Sequence, residues 1–535
     1  MSDQFKTETL EKNALDIFII GGGINGSGIA RDAAGRKLKV ALAEMGDLGN
    51  ATSSASTKLF HGGLRYLEYF EFSLVRESLK EREVLLAAMP HISWPLRFVI
   101  PYRSDMTFNN RTPMAKLLSF VLPWNKGRRP PWLLRAGLFL YDNIGGRKLL
   151  PPTKSINLQK EVSGIPLKKK FLRAFEYSDC WVDDARLVIL NARDAKNKGA
   201  IILPRSKVIS TKRTDAGWTI KVQNIQSGEE KVFQAKLLIN AAGPWVQNVL
   251  NNILKINSPI SVKLVRGSHI IIKKLYDHDK CYLLQGKDSR IVFLIPYERN
   301  FTLIGTTDFN HHSSDTAPVC STEEKQYLLN FVQEYLETPL KPKDIVWSYS
   351  GMRPLYDDGS RSASAISRDY FLDLDLKMKN SPLLNIYGGK ITTYRKLSEA
   401  ALKKVRLFFP NMTGSWTDKS YLPGGDFKIN GFNSLCKNIQ DAHPYLHLDL
   451  INRLVRLYGT ETSEMLSKKR KKRDLGTELA NNVFSFEIDW VIEKEWVESV
   501  DDFVWRRTKL GLLLSKKELN SIERYIKTKI QNNDC

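Results

Sequence analysis

The residues whose types and spacing promise chemistry cluster within the first 45 positions. Gly21-Gly22-Gly23-Ile24-Asn25-Gly26 puts glycines at the three positions of a G-x-G-x-x-G turn. The apolar run LDIFII precedes it, and an Ala/Gly-rich segment of helical spacing (25–35) follows. A second apolar run (39–44) ends in Glu44, 21 residues after Gly23. Strand, glycine turn, helix, strand and acidic residue in this order predict a dinucleotide site. Gly21 permits the tight turn, Gly23 lets backbone approach a pyrophosphate, and Gly26 lets helix and strand pack closely. The helix N-terminus offers N–H groups and the positive end of its dipole to the anion. Glu44 is placed for ribose hydroxyls and repels a 2′-phosphate, which argues against an NADP-type ligand. A glycine turn without ligand is the plainer reading, and the flanking order weighs against it.

Two further strand-to-glycine turns come much later, at 237–245 (LLINAAGPW) and 385–395 (NIYGGKITTYR). The first looks like the second nucleotide-contacting strand of flavoproteins with the two-dinucleotide fold. The second opens a helix with Thr392 and Thr393 in its first turn. Aimed at the N1–C2 carbonyl region of a flavin, that helix start would stabilise the reduced ring by about 0.3–2 kcal/mol. Three separated turns are expected when an inserted domain splits the cofactor fold, and they favour FAD over NAD.

These elements sit in a chain of 535 residues, enough for about three to four domains of ordinary size. With 42% hydrophobic and 26% charged residues, disorder, collagen and disulfide scaffolds are excluded. Lys and Arg number 81 against 58 Asp and Glu, a net charge of +23. Such a surface attracts nucleic acid, anionic lipid or phosphorylated substrates, and charge alone does not choose. Cys180, Cys281, Cys320, Cys436 and Cys535 are too scattered for a zinc site and fit a reducing compartment. The first 16 residues carry neither an apolar h-region nor Arg, so neither a signal nor a transit peptide is expected. No apolar run reaches the ~18 residues of a spanning helix. The apolar segments 114–124 and 131–141, interrupted by Lys116 and Arg135, are suited to lying on a bilayer.

The spacing predicts a helix over Phe72–Ala88 and alternating strands between 200 and 310. The chain beyond 412 reads as helical. A boundary is placed near Gly414, where Pro410, Pro423, Gly424 and Gly425 cluster. The basic run 468–473 (KKRKKR) has no aromatic partner and reads as a solvated loop or a lipid-facing patch.

Further motifs carry a family likeness. They are 52–68 (TSSASTKLFHGGLRYLE), 175–187 (FEYSDCWVDDARL), 265–272 (VRGSHIII), 304–308 (IGTTD), 349–354 (YSGMRP), 367–370 (SRDY), 388–397 (GGKITTYRKL) and 504–511 (VWRRTKLG). In this order the chain, from about 16 to 515, resembles the FAD-dependent, aerobic glycerol-3-phosphate dehydrogenases. The segment 105–127 departs from the shorter bacterial members, and the calcium-binding tail of animal members is missing.

The resemblance implies an α/β fold: a Rossmann-like, two-dinucleotide-fold FAD domain (1–100, 175–260, 345–410) interleaved with a mixed-sheet substrate region (101–174, 261–344). An all-α C-terminal domain (411–535) completes it. It implies oxidation of glycerol 3-phosphate to dihydroxyacetone phosphate, with electrons passed to ubiquinone or menaquinone. The cofactor-binding set is then Gly21, Gly22, Gly23, Asn25, Gly26, Glu44, Thr52, Ser53, Ser54, Gly62, Gly63, Val208, Gly243, Gly389, Lys390, Thr392 and Thr393. A phosphate dianion calls for Arg or Lys donors. The matched motifs supply Arg65 and Arg353 near the reacting end, and Arg368 with Lys390 towards the phosphate. His269 has the ordinary pKa of a neutral-pH base, although a buried histidine opening a strand is the plainer reading. Tyr66 orients or relays. His61 supports the flavin loop, Asp308 caps or closes its turn, and His311-His312 reads as a solvated loop with no metal. Partners are an anionic membrane surface on its cytoplasmic face and no nucleic acid; a homodimer stays open. An oxygen-using oxidase and an FAD-dependent RNA-modifying enzyme are the competing functions.

Overall fold

The computed structural model describes residues 14–107, 112–121, 129–146, 148–286, 290–357 and 369–534. Leu15–Ile20 forms the centre of the first sheet, parallel to Glu230–Asn240 on one side and Val40–Ala43 on the other. Leu383–Gly388 and Ile201–Leu203 extend the parallel order outwards, and Tyr370–Asp375 closes one edge antiparallel. The central strand is apolar at nearly every position because both its faces are covered. Ile17 and Ile19 pack on the helices Ile24–Gly35, Asp184–Asn197 and Tyr394–Lys404. Phe18 and Ile20 pack with Trp218 and Ile220 of the hairpin Ser206–Thr214/Gly217–Asn224.

The second sheet is mixed and ten-stranded. Val262–Lys273 pairs antiparallel with Ile345–Tyr356, Phe301–Gly305 and Phe309–His311. The order continues through Ile291–Tyr297 and Cys281–Gln285 to Ser93–Pro101 and Arg173–Val182. Sheet membership therefore divides the chain differently from the expected boundaries. Ser93–Pro101, Arg173–Val182 and Ile345–Tyr356, placed with the cofactor domain above, are strands of this second sheet. An alternating strand has the same period in either sheet, so its partner is not legible locally.

The turn-rich segment after Gly414 lies against the cofactor domain. Arg31 donates to Ser420 Oγ (3.1 Å) and to the Tyr421 carbonyl (3.2 Å), and Leu422 N donates to the Ala88 carbonyl at 3.0 Å. Helices Phe432–Ala442, Leu448–Tyr458, Glu461–Leu466, Ser485–Glu495 and Lys516–Asp534 follow around their own core. Leu448–Tyr458 shows why: Leu450, Ile451, Leu454, Val455 and Tyr458 fall on one buried stripe. One exception to the all-α expectation is the short ribbon Glu478–Ala480/Val483–Phe484, too brief to leave a pattern. Trp505 of this domain stacks on Trp347 of the second sheet, ring centres 4.1 Å apart.

Candidate active site

A cavity of about 820 Å³ opens beyond the C-terminal ends of the central parallel strands, where ligands of open α/β sheets bind. Ile20, Ala43, Ala241 and Gly388 mark those strand ends in its wall. Gly21 has φ +106°, and a Cβ there would meet the Ala241 carbonyl oxygen at 2.6 Å. A Cβ on Gly26 would overlap the Gly21 carbonyl oxygen. The helix Ile24–Gly35 thus starts hard against the turn, with Gly23 at its N-cap and no acidic residue in its first turn. Ser53 Oγ accepts from Ile24 N at 3.0 Å, and Asn25 Nδ2 donates to the Gly388 carbonyl at 3.2 Å. Asn25 Oδ1 is buried and has no hydrogen-bond partner among the described residues. A helix N-terminus without its own acid, a turn no side chain fits, and a waiting acceptor suit an anionic dinucleotide.

Glu44 lines this cavity, but it also holds the turn. Its Oε2 accepts from Gly22 N (2.7 Å) and its Oε1 from Gly46 N (2.8 Å). Burial raises its carboxyl above the ordinary range. Each oxygen keeps a second lone pair for a ribose hydroxyl. Thr52, Ser53, Val208, Gly243, Gly389, Lys390 and Thr392 line the same cavity, as the motifs imply. Five expected contacts stand behind the wall, Gly26 among them, packed against the Gly21 carbonyl. Gly22 is committed to Glu44. Gly62 N donates to Tyr141 OH at 2.7 Å, Ser54 Oγ donates to the Ala51 carbonyl at 3.2 Å, and Thr393 is buried with its N–H on the Lys390 carbonyl at 3.2 Å. They shape the loops that the lining residues occupy. Proximity in a motif does not say which neighbour faces out.

A smaller cavity of about 170 Å³ adjoins the first. His61, Tyr66, Phe293, Thr306 and Arg353 line both. Arg353 donates through Nη1 to Asp308 Oδ1 and through Nη2 to Thr306 Oγ1 at 3.0 Å. Asp308, expected to cap a turn, is instead the carboxylate that aims this guanidinium. The Lys390 ammonium lies 4.0 Å from the centre of the Tyr66 ring. Arg65 and Gly63 line the smaller cavity only, together with Arg129 and Arg290, which sequence reasoning missed. Arg129 donates to Glu68 Oε1, and burial still raises the Glu68 carboxyl above its usual range. Asp179 also lines this cavity; burial pushes it up to about 6, although it accepts from Arg82 Nη1 at 2.7 Å and Tyr141 OH at 2.8 Å.

His269 does not reach either cavity wall. It is buried, its Nε2 lies 2.9 Å from Thr57 Oγ1, and its ring stacks on Tyr349 with centres 4.8 Å apart. Burial, then the charges of Arg353 and Lys58, hold it well below the ordinary histidine range. The imidazole that does line both cavities is His61. Arg368 lies outside the described residues. Thr306 and Asp308 were visible only as part of the IGTTD motif. Nothing local announces that Asp308 pairs with an arginine 45 residues on.

Residues 16–395 match the family described as FAD dependent oxidoreductase, and residues 415–530 match the C-terminal domain of alpha-glycerophosphate oxidase. The chain is 43% identical to D-erythritol 1-phosphate dehydrogenase of Brucella abortus, over 95% of this chain and 97% of that protein. It is 43% identical to glycerol-3-phosphate dehydrogenase of Pseudomonas aeruginosa, over 96% and 95% of the two chains. Identity to the aerobic glycerol-3-phosphate dehydrogenase of Escherichia coli is 40%, over 96% and 97%. Among solved structures, glycerol-3-phosphate dehydrogenase of Bacillus halodurans complexed with FAD shares the fold, with a TM-score of 0.72 at 24% identity, covering 98% of this chain and 94% of that one. The fold, the glycine turn and these full-length likenesses together show that the chain belongs to the FAD-dependent oxidoreductases, in the branch of the glycerol-3-phosphate dehydrogenases.

Proposed function

We propose that the protein oxidises sn-glycerol 3-phosphate to dihydroxyacetone phosphate and passes the electrons to a membrane quinone. The observation that supports this most is the junction of the two cavities, where His61, Tyr66, Thr306 and Arg353 belong to both. Bound in the larger cavity, FAD supplies the hydride-accepting chemistry. The chain's own part is to hold a small phosphorylated alcohol against it and to move one proton. Arg353, aimed by Asp308 and Thr306, offers a planar fork to the substrate, with Arg65 beside it. Lys390, and Arg368 as its motif implies, meet the phosphate. An imidazole nitrogen of His61, the imidazole at the junction of the two cavities, takes the proton of the C2 hydroxyl. His269 then acts through Thr57, as support for the wall.

An anaerobic spectrum tests the assignment. The oxidised flavin band should bleach on adding sn-glycerol 3-phosphate and stay unchanged with glycerol. A band that persists with both would sink the substrate. The Brucella likeness favours a second reading, a four-carbon polyol phosphate. A higher kcat/KM for D-erythritol 1-phosphate than for glycerol 3-phosphate would move the assignment there.

The acceptor side is proposed on the helices Pro113–Val121 and Pro131–Ile144. Phe120 is 86% exposed, Phe139 64% and Trp132 60%, whereas Leu138 and Tyr141 are buried on the inner face. Among the described residues no helix is long and apolar enough to cross a membrane. Contact with one leaflet fits that length, and each Lys or Arg near an anionic surface adds about 1 kcal/mol. Burying a large apolar side chain adds roughly 1.5–3 kcal/mol. Phe120→Ser and Trp132→Ser should therefore each weaken co-sedimentation with anionic vesicles about tenfold or more, with activity towards a water-soluble acceptor unchanged. Undiminished vesicle binding would remove this face from the membrane.

A further inference from the structure

We propose that the C-terminal domain is part of the cofactor-binding machinery, with Arg506 and Arg507 as positioning residues for the adenosine end of FAD. The inference rests on the larger cavity being the cofactor's. Two stretches, 44–51 and 204–208, reach that cavity's wall around Glu44: Glu44, Met45, Gly46, Asn50 and Ala51 line it from the first, and Ser206, Lys207 and Val208 from the second. They are tied to each other: Arg205 N donates to the Gly46 carbonyl at 2.8 Å, and Ser206 N to the Glu44 carbonyl at 2.7 Å. Each is also gripped from outside the cofactor domain. Asp47 is buried and accepts from Arg507 Nη1 at 2.5 Å, Arg507 Nη2 at 2.9 Å and Arg506 Nε at 2.5 Å. Arg205 reaches the same stretch in the opposite sense. Its Nη1 donates to the Trp496 carbonyl at 3.2 Å, its Nε lies 3.2 Å from the Glu498 carboxylate, and its Nη2 donates to Asp502.

One segment of the C-terminal domain, 495–507, thus clamps both loops, and the clamping charges are themselves braced. Arg507 donates to the Glu495 carbonyl, and Arg506 to Asp502. Burial pushes the Asp47 carboxyl up, but the charges and hydrogen bonds of Arg507 and Arg506 more than offset it and hold it below the ordinary range. A buried carboxylate so paired has a narrow choice of positions, because leaving either partner strands a charge. Asp47 lies three residues from Glu44, and the intervening Gly46 N–H bonds Glu44 Oε1 at 2.8 Å. Whatever fixes Asp47 therefore fixes the carboxylate that faces the ribose. Coupling of this kind is reciprocal: if the docked domain tightens FAD, FAD tightens the docked domain.

Hydrogen exchange of the full chain, with FAD and after its removal, tests this. FAD should slow exchange in 44–51 and 204–208 and also in 495–507, which takes no part in the cavity wall. Protection of the two loops without 495–507 would overturn the coupling and leave the cofactor assignment standing. No protection of the loops would overturn both. Arg507→Met should weaken FAD binding about tenfold or more, read as a dissociation constant by flavin fluorescence, and abolish the FAD-dependent protection of 495–507. In case that variant fails to fold, the partly exposed Arg506→Gln provides the milder test. A merely structural role would lower Tm equally with and without FAD; the proposed role shrinks the rise in Tm that FAD produces. An unchanged dissociation constant in a folded Arg506→Gln protein would count against the proposal.

Discussion

Gly26→Ala should give a folded chain that does not retain FAD. The added Cβ would overlap the Gly21 carbonyl oxygen and meet Ile19 Cγ2 at 3.4 Å. Gly21 has little freedom to yield, since its N–H is bonded to the Ala43 carbonyl at 2.8 Å and its φ is +106°. The helix start must withdraw from the turn; overpacking typically costs about 1–3 kcal/mol, and a clash with backbone, which cannot rotate away, puts this one at about 3 kcal/mol. Expressed as lost FAD affinity, that is roughly a hundredfold or more. The flavin-to-protein ratio of the purified variant checks it. Gly137→Ala is the control: its Cβ has nothing within 4 Å, and its FAD content should match the parent protein. Equal FAD content in both variants would refute the packing argument.

Arg353→Met should abolish most turnover while leaving FAD in place. A hydrogen bond to a charged group contributes about 1.5–3 kcal/mol, so losing two costs roughly 10²–10⁴-fold in kcat/KM. The loss also takes from Asp308 and Thr306 the guanidinium they hold. Arg353→Lys should recover only part of the rate, because an ammonium cannot present two parallel donors. Steady-state kinetics with a water-soluble acceptor, normalised to flavin content, measure both. A kcat/KM for Arg353→Met within tenfold of the parent would remove Arg353 from the substrate site.

The two halves of the site differ in how openly the sequence states them. The dinucleotide half is legible because its physics is local. Gly21, Gly26 and Glu44 lie within one strand–helix–strand unit: Gly26 meets the Gly21 carbonyl five residues back and Glu44 bonds Gly22 inside the same unit, although the wall that Gly21 faces, Ala241, comes from a distant strand. The substrate half depends on pairings between distant strands. Arg353 finds Asp308 across 45 positions, and Arg129 finds Glu68 across 61. His269 shows the limit well. Strand alternation turns it inwards, but the interior here has two depths, and Thr57 stands between the ring and the cavity. Residue type and motif position could not tell those depths apart. The same holds for Arg506 and Arg507, readable as a conspicuous motif but not as partners of Asp47, some 460 residues earlier.

The stacked pair of Trp347 and Trp505 has an optical consequence. Their indoles lie 4.1 Å apart and within 16° of parallel, one on the substrate sheet and the other in the C-terminal segment. Chromophores that close couple their excited states, so unseating the domain should change the near-ultraviolet circular dichroism, and Trp505→Phe should remove that change. The chain is thereby furnished with an intrinsic, label-free readout of whether its last domain is seated.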